Sequence, residues 1–274
     1  MVFIPLLASQ QYESAKQTVL AAIAFALTAS SIYLLNDIID VKDDRLHYRK
    51  KTRPFAAGEL SLAQGWLLFP LPLLAGFAIA SFTLPDAFIG ILTGYLVLAL
   101  LYCAWIKRIV IADVLTLAVL YELRILGGAA AIGVTASVWL LTFSMFMFLS
   151  LALMKRLSEL KNARLDGNTG TMLGRGYTAK YFEIVLAFGV TCGCLAMFVL
   201  ALYIHDSHAR ALYRTPDLLW LSWLLLSYWI GRAWLLALRG QLHDDPIAFA
   251  LADKVSWAVV TTLLIVILAA QLLP

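Results

Sequence analysis

The residues best suited to chemistry lie in the polar segment from residue 36 to residue 54, which reads NDIIDVKDDRLHYRKKTRP and follows a long apolar run. Asp37, Asp40 and Asp44 are spaced i, i+3 and i+7, so a continuous helix would place their carboxylates along one face. Neighbouring carboxylates repel one another unless a cation lies among them. Mg²⁺ prefers oxygen ligands and usually binds one or two carboxylates together with substrate phosphates. The spacing therefore predicts a site for Mg²⁺ and a phosphorylated substrate.

Basic residues follow the aspartates within the same segment. They are Arg45, Arg49, Lys50, Lys51 and Arg53. Arginine and lysine donate hydrogen bonds to phosphate oxygens, so we expect this run to neutralise the oxygens that the metal leaves uncovered. The alternative is a solvated loop whose positive charges only set the orientation in a membrane. The aspartates argue against that alternative, because orientation requires no acidic residues.

The composition indicates an integral membrane protein. Of the 274 residues, 62% are hydrophobic and 14% are charged, and the mean hydropathy is +0.85. Crossing a bilayer as a helix takes about 20 apolar residues. Eight stretches of the chain meet this requirement, near 17–36, 65–83, 87–106, 110–133, 137–155, 181–204, 216–236 and 255–273. We therefore predict an all-α, polytopic membrane helical bundle that forms a single domain over residues 1-274.

Other features of the composition exclude some functions. The net charge of +4 is too small to indicate binding to nucleic acid. Cys103, Cys192 and Cys194 lie in apolar runs without the spacing of a zinc or redox motif, so we expect them to be packing residues. The N-terminal stretch MVFIPLLAS is apolar but too short to cross a membrane. We expect it to be a partial span, the end of a segment whose beginning is absent.

The distribution of basic residues predicts which side of the membrane each connection faces. Threading eight spans places all but four of the 21 Lys and Arg residues on the side that holds the aspartate segment. The exceptions are Lys16, Arg210 and Arg214 on the opposite side and Arg124 inside a span. Because basic residues accumulate on the cytoplasmic side, we expect the aspartate segment to face the cytoplasm at the cell (inner) membrane.

The fourth span contains ionisable residues among apolar ones. Arg124 lies too far from either end of this span to reach water easily, and charges at membrane depth usually face a partner or a cavity. We expect it to point into the bundle, towards a phosphate or a carboxylate, with Tyr121 as a further hydrogen-bonding group. An internal salt bridge is the alternative, but Glu122 is at i−2 and points away from Arg124 on a helix. Gly127 and Gly128 would permit close helix approach.

The fifth span ends with Lys155, Arg156 and Glu159 at the same side as the aspartates. Two interpretations remain open. These residues either form a helix end whose basic side chains complement the helix dipole, or they present a second wall for an anionic ligand.

A family resemblance rests on the first polar segment. The pattern Asn36-Asp37-x-x-Asp40-x-x-x-Asp44, followed by Lys50, Arg53-Pro54 and a small AAG run, resembles the first signature of the UbiA-type intramembrane prenyltransferase superfamily. The resemblance extends to Asp113 and Leu123-Arg124 and covers most of the chain. It implies a nine-helix fold, here eight full spans plus the N-terminal partial span. It also implies Mg²⁺ bridged to a diphosphate, and a ring of helices around a lipid tail.

One departure points to a particular branch. Members that prenylate aromatic acceptors have a DxxxD motif in the second large cytoplasmic loop, whereas this chain reads KRLSELKNARLDGN and offers only Asp166 there. The KRxxEL pattern and the DR-x-H pattern that includes His47 are similar to the polyprenyl-phosphate (decaprenyl-phosphate) phosphoribosyltransferase branch. Members of that branch usually have proline after the histidine, where this chain has Tyr48.

The resemblance implies transfer of a 5-phosphoribosyl group from phosphoribosyl diphosphate to a polyprenyl phosphate. Asp37, Asp40 and Asp44 would hold Mg²⁺, and Asp37, Asp40, Lys50 and Arg53 would be catalytic. The residues expected to bind substrate are Asn36, His47, Tyr121, Arg124, Lys155, Arg156 and Glu159. The alternative is a prenyltransferase that joins an isoprenoid diphosphate to an aromatic or other small acceptor. A membrane transporter or lipid-binding protein is a third hypothesis, and whether the chain forms a homo-oligomer stays open.

Overall fold

Segments that cross lipid must satisfy their backbone hydrogen bonds internally, and a helix does so within one segment. The computed structural model describes residues 1–9, 11–46, 50–165, 176–242 and 246–273, and every regular element in these ranges is a helix. Eight helical segments are long and apolar enough to cross a membrane, at Tyr12–Ile39, Leu62–Thr83, Asp86–Ala104, Ala112–Ala131, Val138–Lys161, Phe182–His205, Pro216–Arg239 and Lys254–Leu272. The predicted all-α class and the eight predicted spans are confirmed, with ends that differ by a few residues.

The chain divides into two compact units, which are described separately. Unit 1 comprises Met1–Ala136 with Leu173–Gly176, and unit 2 comprises Ser137–Met172 with Tyr177–Pro274. The helices of unit 1 are α1 (Ile4–Ser9), α2 (Ala15–Ile39), α3 (Val41–Leu46), α4 (Pro54–Ala57), α5 (Leu62–Leu68), α6 (Pro70–Thr83), α7 (Asp86–Ala104) and α8 (Ala112–Ala131). Helix α1 has six residues and is too short to cross a membrane. A single domain over 1-274 stays a prediction.

The core of unit 1 forms around α2, which packs against α6, α7 and α8. Phe25 of α2 makes edge-to-face contacts with Phe88 and Tyr95 of α7, with ring centroids 5.4 and 5.3 Å apart. A Cβ added at Gly127 of α8 would lie 2.4 Å from the Phe25 ring. Only glycine permits this approach of α8 to α2, as predicted from the sequence. The close packing holds the helices that begin or end beside the aspartate segment.

The second span is interrupted rather than continuous. Helix α5 ends at Leu68 and α6 begins at Pro70, whose missing N–H removes one helical hydrogen bond. The Ser31 hydroxyl of α2 donates a 2.6 Å hydrogen bond to the Phe69 carbonyl at this point. A polar group that the break exposes in the membrane thereby gains a partner within the protein.

The described residues of unit 2 form six further α-helices. They are α9 (Val138–Leu165), α10 (Phe182–His205), α11 (Ser207–Ala211), α12 (Leu219–Arg239), α13 (Pro246–Ala252) and α14 (Lys254–Leu272). Helix α9 packs along α10, and α12 packs against both and against α14. The buried Trp234 indole donates to the Ser150 hydroxyl at 3.1 Å, and that hydroxyl donates to the Gly189 carbonyl at 2.8 Å. This chain of bonds links α12, α9 and α10.

Candidate active site

The aspartates lie where α2 passes into α3. Helix α2 ends at Ile39, and Asp40 has φ −86° and ψ 3° before α3 begins at Val41. The Asp40 N–H still donates to the Asn36 carbonyl at 2.9 Å, and the Asp44 N–H donates to the Asp40 carbonyl at 2.8 Å. Helical hydrogen bonding therefore continues across Asp40, which is the condition under which the i, i+3, i+7 spacing would place the carboxylates along one face. Asp37 lies in α2, Asp40 at the junction and Asp44 in α3, so the acids belong to two consecutive helices instead of one.

A short proline turn brings the basic part of the segment back towards the aspartates. Arg53 is extended, as residues before proline usually are, and Pro54 opens α4 at a position where its missing N–H removes no bond. Gly58 ends α4 with φ +82°, a conformation that favours glycine. Phe55 is buried and packs against Ile38 and Val41. This apolar contact anchors α4 beside the α2–α3 junction.

Arg53 joins two of the predicted metal ligands. One guanidinium nitrogen, Nη1, lies 2.7 Å from Asp37 Oδ1 and 3.0 Å from Asp44 Oδ2. The Asp44 side chain is 5% exposed, whereas those of Asp37 and Arg53 are 29% and 37% exposed. Asp37 and Asp44 thus converge on one cationic position that remains open to water on the Arg53 side.

The third aspartate has a partner that sequence reasoning missed. Lys107 lies in a single 3₁₀ turn, Ile106–Arg108, between α7 and α8. Its ammonium nitrogen lies 2.5 Å from Asp40 Oδ1 and 3.1 Å from the Asn36 amide oxygen. Lysine is rarely buried without a partner, and this side chain is 5% exposed. The available signal was a basic turn predicted on the same side of the membrane as the aspartates.

The turn that presents Lys107 is constrained on its C-terminal side. Ile111 has φ +68°, in a region that β-branched residues rarely adopt. A Cβ added at Gly176 would lie 2.4 Å from the Arg108 carbonyl oxygen. Strained backbone persists only where the surrounding structure determines it. The position of Lys107 is therefore set by the fold around the turn.

These groups suit a metal bound together with a diphosphate. Among the described residues, no three His, Cys, Asp or Glu side chains are grouped closely enough to hold a metal ion by themselves. Asp37 and Asp44 do share one cation position, and Mg²⁺ commonly takes one or two carboxylates and completes its shell with phosphates and water. The oxygen-only donor set fits that ion. Asp40 forms an ion pair with Lys107 instead, so a metal site that uses all three carboxylates stays a prediction.

The remaining residues of the polar segment are only partly described. Lys50 is half-buried in the 3₁₀ turn Lys50–Thr52, and its positive charge interacts electrostatically with the Asp37 carboxylate. His47, predicted to bind substrate, lies outside the described residues, as do Tyr48 and Arg49. Lys50 therefore joins Arg53 and Lys107 near the acidic cluster, and the role of His47 stays a prediction.

Arg124 lies inside unit 1, where its partners are tyrosines. Its Nη2 donates a 2.8 Å hydrogen bond to the Tyr95 hydroxyl of α7. Its guanidinium carbon lies 5.4 Å from the centroid of the Tyr95 ring and 5.6 Å from that of the Tyr121 ring. Within the described part of unit 1, no carboxylate forms an ion pair with Arg124, so a salt bridge with Glu122 is not supported. Tyr95 was not singled out from the sequence.

The predicted basic residues of the fifth span lie in unit 2. Helix α9 continues through them to Leu165, beyond the predicted end of the span. Arg156 is fully buried and forms an ion pair with Glu159 one turn later, whereas Lys155 is half-buried. Glu159 is thereby a partner of Arg156 within the helix, and because α9 continues to Leu165, this pair does not lie at a helix end. A substrate role for Lys155, Arg156 and Glu159 stays a prediction.

Known proteins are similar to this chain over most of its length. The model of the UbiA prenyltransferase family matches residues 1–259. The Sinorhizobium fredii protein y4nM is 34% identical over 94% of this chain, but the match spans only 50% of that longer relative. The nodulation protein NoeC of Azorhizobium caulinodans is 33% identical over 92% of this chain and 82% of its own. The decaprenyl-phosphate phosphoribosyltransferase of Mycolicibacterium smegmatis is 27% identical over 86% of this chain and 74% of its own.

A solved structure shares the fold. The UbiA homologue of Archaeoglobus fulgidus, solved bound to DMAPP and Mg²⁺, superimposes with a TM-score of 0.66. The alignment covers 92% of this chain and 87% of that one, at 16% sequence identity. At this identity the likeness concerns the fold alone.

Proposed function

Because this chain belongs to the UbiA prenyltransferase family of membrane transferases, we propose that it transfers a 5-phosphoribosyl group from phosphoribosyl diphosphate to a polyprenyl phosphate. The observation that carries the proposal is the grouping of Asp37, Asp44, Arg53, Asp40 and Lys107 at one end of unit 1. Acidic groups for a divalent cation and basic groups for phosphate oxygens occur together there. The site would face the cytoplasm at the inner membrane, where a water-soluble donor is available.

The reaction would break the bond between ribose C1 and the diphosphate oxygen. The diphosphate leaves with the bonding electrons, and an oxygen of the polyprenyl phosphate forms the new bond to C1. This acceptor is already an anion, so no strong general base is required. Arg53, Lys107 and Lys50 would neutralise the charge that develops on the diphosphate, and such electrostatic stabilisation is usually a large part of catalysis.

Asp37 and Asp44, with Asp40 and Asn36 nearby, would hold Mg²⁺ against the donor. When bound, the ion would supply positive charge to the leaving diphosphate and orient it. The protein contributes the surrounding arrangement. Lys107 holds Asp40 and Asn36, and the Pro54 turn places Arg53 between the other two acids.

Two observations favour the phosphoribosyl donor over a prenyl diphosphate. A relative named decaprenyl-phosphate phosphoribosyltransferase aligns over 86% of the chain. The second polar loop also lacks the DxxxD pair. The apolar helices would accommodate the polyprenyl tail in either case, so the choice depends on the polar end of the donor.

The test is a pair of transfer assays on purified protein in detergent or lipid. The first contains Mg²⁺, phosphoribosyl diphosphate and a polyprenyl phosphate, and the second contains Mg²⁺, a prenyl diphosphate and 4-hydroxybenzoate. We expect a phosphoribosylated lipid in the first assay and no product in the second. Product in the second assay alone would overturn the proposal in favour of aromatic prenyl transfer.

A further inference from the structure

We propose that Arg124, Tyr95 and Tyr121 form a second phosphate subsite in unit 1, which takes a phosphate monoester and is distinct from the diphosphate site at the aspartates. The inference rests on the proposed function and deepens it, because both proposed substrates carry such a group. Phosphoribosyl diphosphate has a 5-phosphate besides its diphosphate, and the polyprenyl acceptor ends in a phosphate.

The first argument is the unbalanced charge of Arg124. In the described part of unit 1 its only ordinary hydrogen bond goes to the Tyr95 hydroxyl, and no carboxylate pairs with it. Its Nε is buried and has no hydrogen-bond partner among the described residues. A charged group within a membrane span is costly unless a partner or a water-filled cavity compensates it. An anion that comes from a ligand would supply that compensation.

The second argument is the shape of the surrounding group. The two tyrosine rings lie 5.4 and 5.6 Å from the guanidinium carbon, within the range of cation–π contacts. These rings orient the planar guanidinium and leave donors for a phosphate, which arginine binds in a bidentate manner. The Tyr95 hydroxyl accepts from Arg124, so its own proton is available to donate to the same phosphate.

The third argument is position along α8. This helix begins at Ala112, next to the turn of Lys107, and Arg124 follows Asp113 by eleven residues. At 1.5 Å per residue, the Arg124 backbone is about 16 Å further along the helix axis. Helical side chains lean towards the helix N-terminus, so the guanidinium leans back towards the Lys107 end. One helix therefore starts at the diphosphate site and carries a second anion-binding group deeper in the same unit.

The test compares Arg124→Gln with wild-type protein by calorimetric binding in detergent. The probes are inorganic diphosphate with Mg²⁺, phosphoribosyl diphosphate with Mg²⁺, and a short polyprenyl phosphate beside the matching polyprenol. We expect Arg124→Gln to weaken binding of one monoester probe by about 10- to 100-fold, as for loss of a charged hydrogen-bond donor, and to leave inorganic diphosphate unchanged. Weaker binding of phosphoribosyl diphosphate would assign the subsite to the 5-phosphate. Weaker binding of polyprenyl phosphate would assign it to the phosphate of the acceptor.

Two further variants separate binding from folding. Tyr95→Phe removes only the hydroxyl, and Arg124→Lys keeps the charge but loses the planar fork, so each should weaken the same probe by a smaller factor. Arg210→Gln is the control, since Arg210 pairs with Asp217 at an exposed position. If all three site variants fold and bind both monoesters as wild-type protein does, the subsite proposal is overturned and the proposed function is not affected. Wild-type protein that binds neither monoester would overturn the proposed function as well.

Discussion

The ammonium group of Lys107 lies 2.5 Å from the Asp40 carboxylate, although 67 residues separate them in the chain. Both side chains are largely shielded from water, and Asn36 accepts a second hydrogen bond from the same nitrogen. The pair fixes the turn between α7 and α8 against the end of α2. It places a cation beside the predicted metal ligands.

Lys107→Gln should lower both stability and activity. Removing one partner of a buried ion pair leaves the other charge uncompensated, at about 3–5 kcal/mol. Loss of a group that stabilises developing charge should lower kcat by about 100-fold or more. The measurements are thermal unfolding in detergent and initial transfer rates. The neighbouring Arg108 is exposed, so Arg108→Gln should change neither quantity appreciably. Equal effects of the two substitutions would contradict the assignment.

Asp37→Asn and Asp40→Asn should each abolish Mg²⁺-dependent transfer. Each amide keeps the size of the side chain but removes the negative charge that attracts the cation and its basic neighbours, so we expect rates to fall by roughly 100-fold or more at saturating Mg²⁺. Rates are measured across a Mg²⁺ titration. Asp217→Asn, at an exposed pair in unit 2, is the control and should retain full activity. Full activity in both site variants would remove the metal assignment.

Gly127→Ala should destabilise the protein through overpacking. The added Cβ would lie 2.4 Å from the Phe25 ring, which is itself held by Phe88 and Tyr95. We expect a loss of about 1–3 kcal/mol, measured by unfolding. Gly90→Ala in α7 provides the control, because nothing lies within 4 Å of the added methyl group there. Alanine has the higher helix propensity, so Gly90→Ala should leave stability unchanged or raise it by up to about 1 kcal/mol. A similar loss in both variants would exclude packing as the cause.

Asp253→Asn should destabilise unit 2 in a pH-dependent way. Arg232 donates two hydrogen bonds to the Asp253 carboxylate, at 2.7 and 3.0 Å, and these bonds with those from Ser256 lower the pKa of Asp253 to about 2. Since the folded pKa is depressed, this carboxylate stabilises the fold fully above about pH 4, its unfolded value, and progressively less as pH falls towards 2. Asparagine can still cap α14 through its carbonyl oxygen, so the substitution removes the charge and one of the two acceptors for Arg232.

The expected result is a lower melting temperature for Asp253→Asn at pH 7 and a smaller difference from wild-type protein at pH 3. Asp217→Asn serves as the control, because the Asp217 side chain is 79% exposed and surface pairs contribute little. A difference that stays constant from pH 7 to pH 3 would show that the Asp253 charge is not responsible.

Part of the candidate site could be predicted from local sequence. Asp37, Asp40, Asp44 and Arg53 lie within 17 positions, and the helix period of the aspartates with the basic run that follows was enough to group them. Lys107 and Tyr95 could not be found in this way, because their partners Asp40 and Arg124 are 67 and 29 residues away. Arg156 was a plausible ligand by type and position, yet its side chain is buried against Glu159. Burial depends on which helix faces cover a residue, and a single helix does not reveal that.

The sequence by itself determined the membrane helices, their number and the presence of an acidic and basic segment at one end. These properties follow from hydrophobic length, charge distribution and short-range spacing, all of which act over a few helical turns. Only the tertiary structure decided which basic side chain pairs with which carboxylate, and that Arg124 contacts the rings of both Tyr95 and Tyr121. Those pairings depend on how α2, α7 and α8 pack in unit 1, and that packing is set by contacts such as Gly127 against Phe25 between residues remote in the chain.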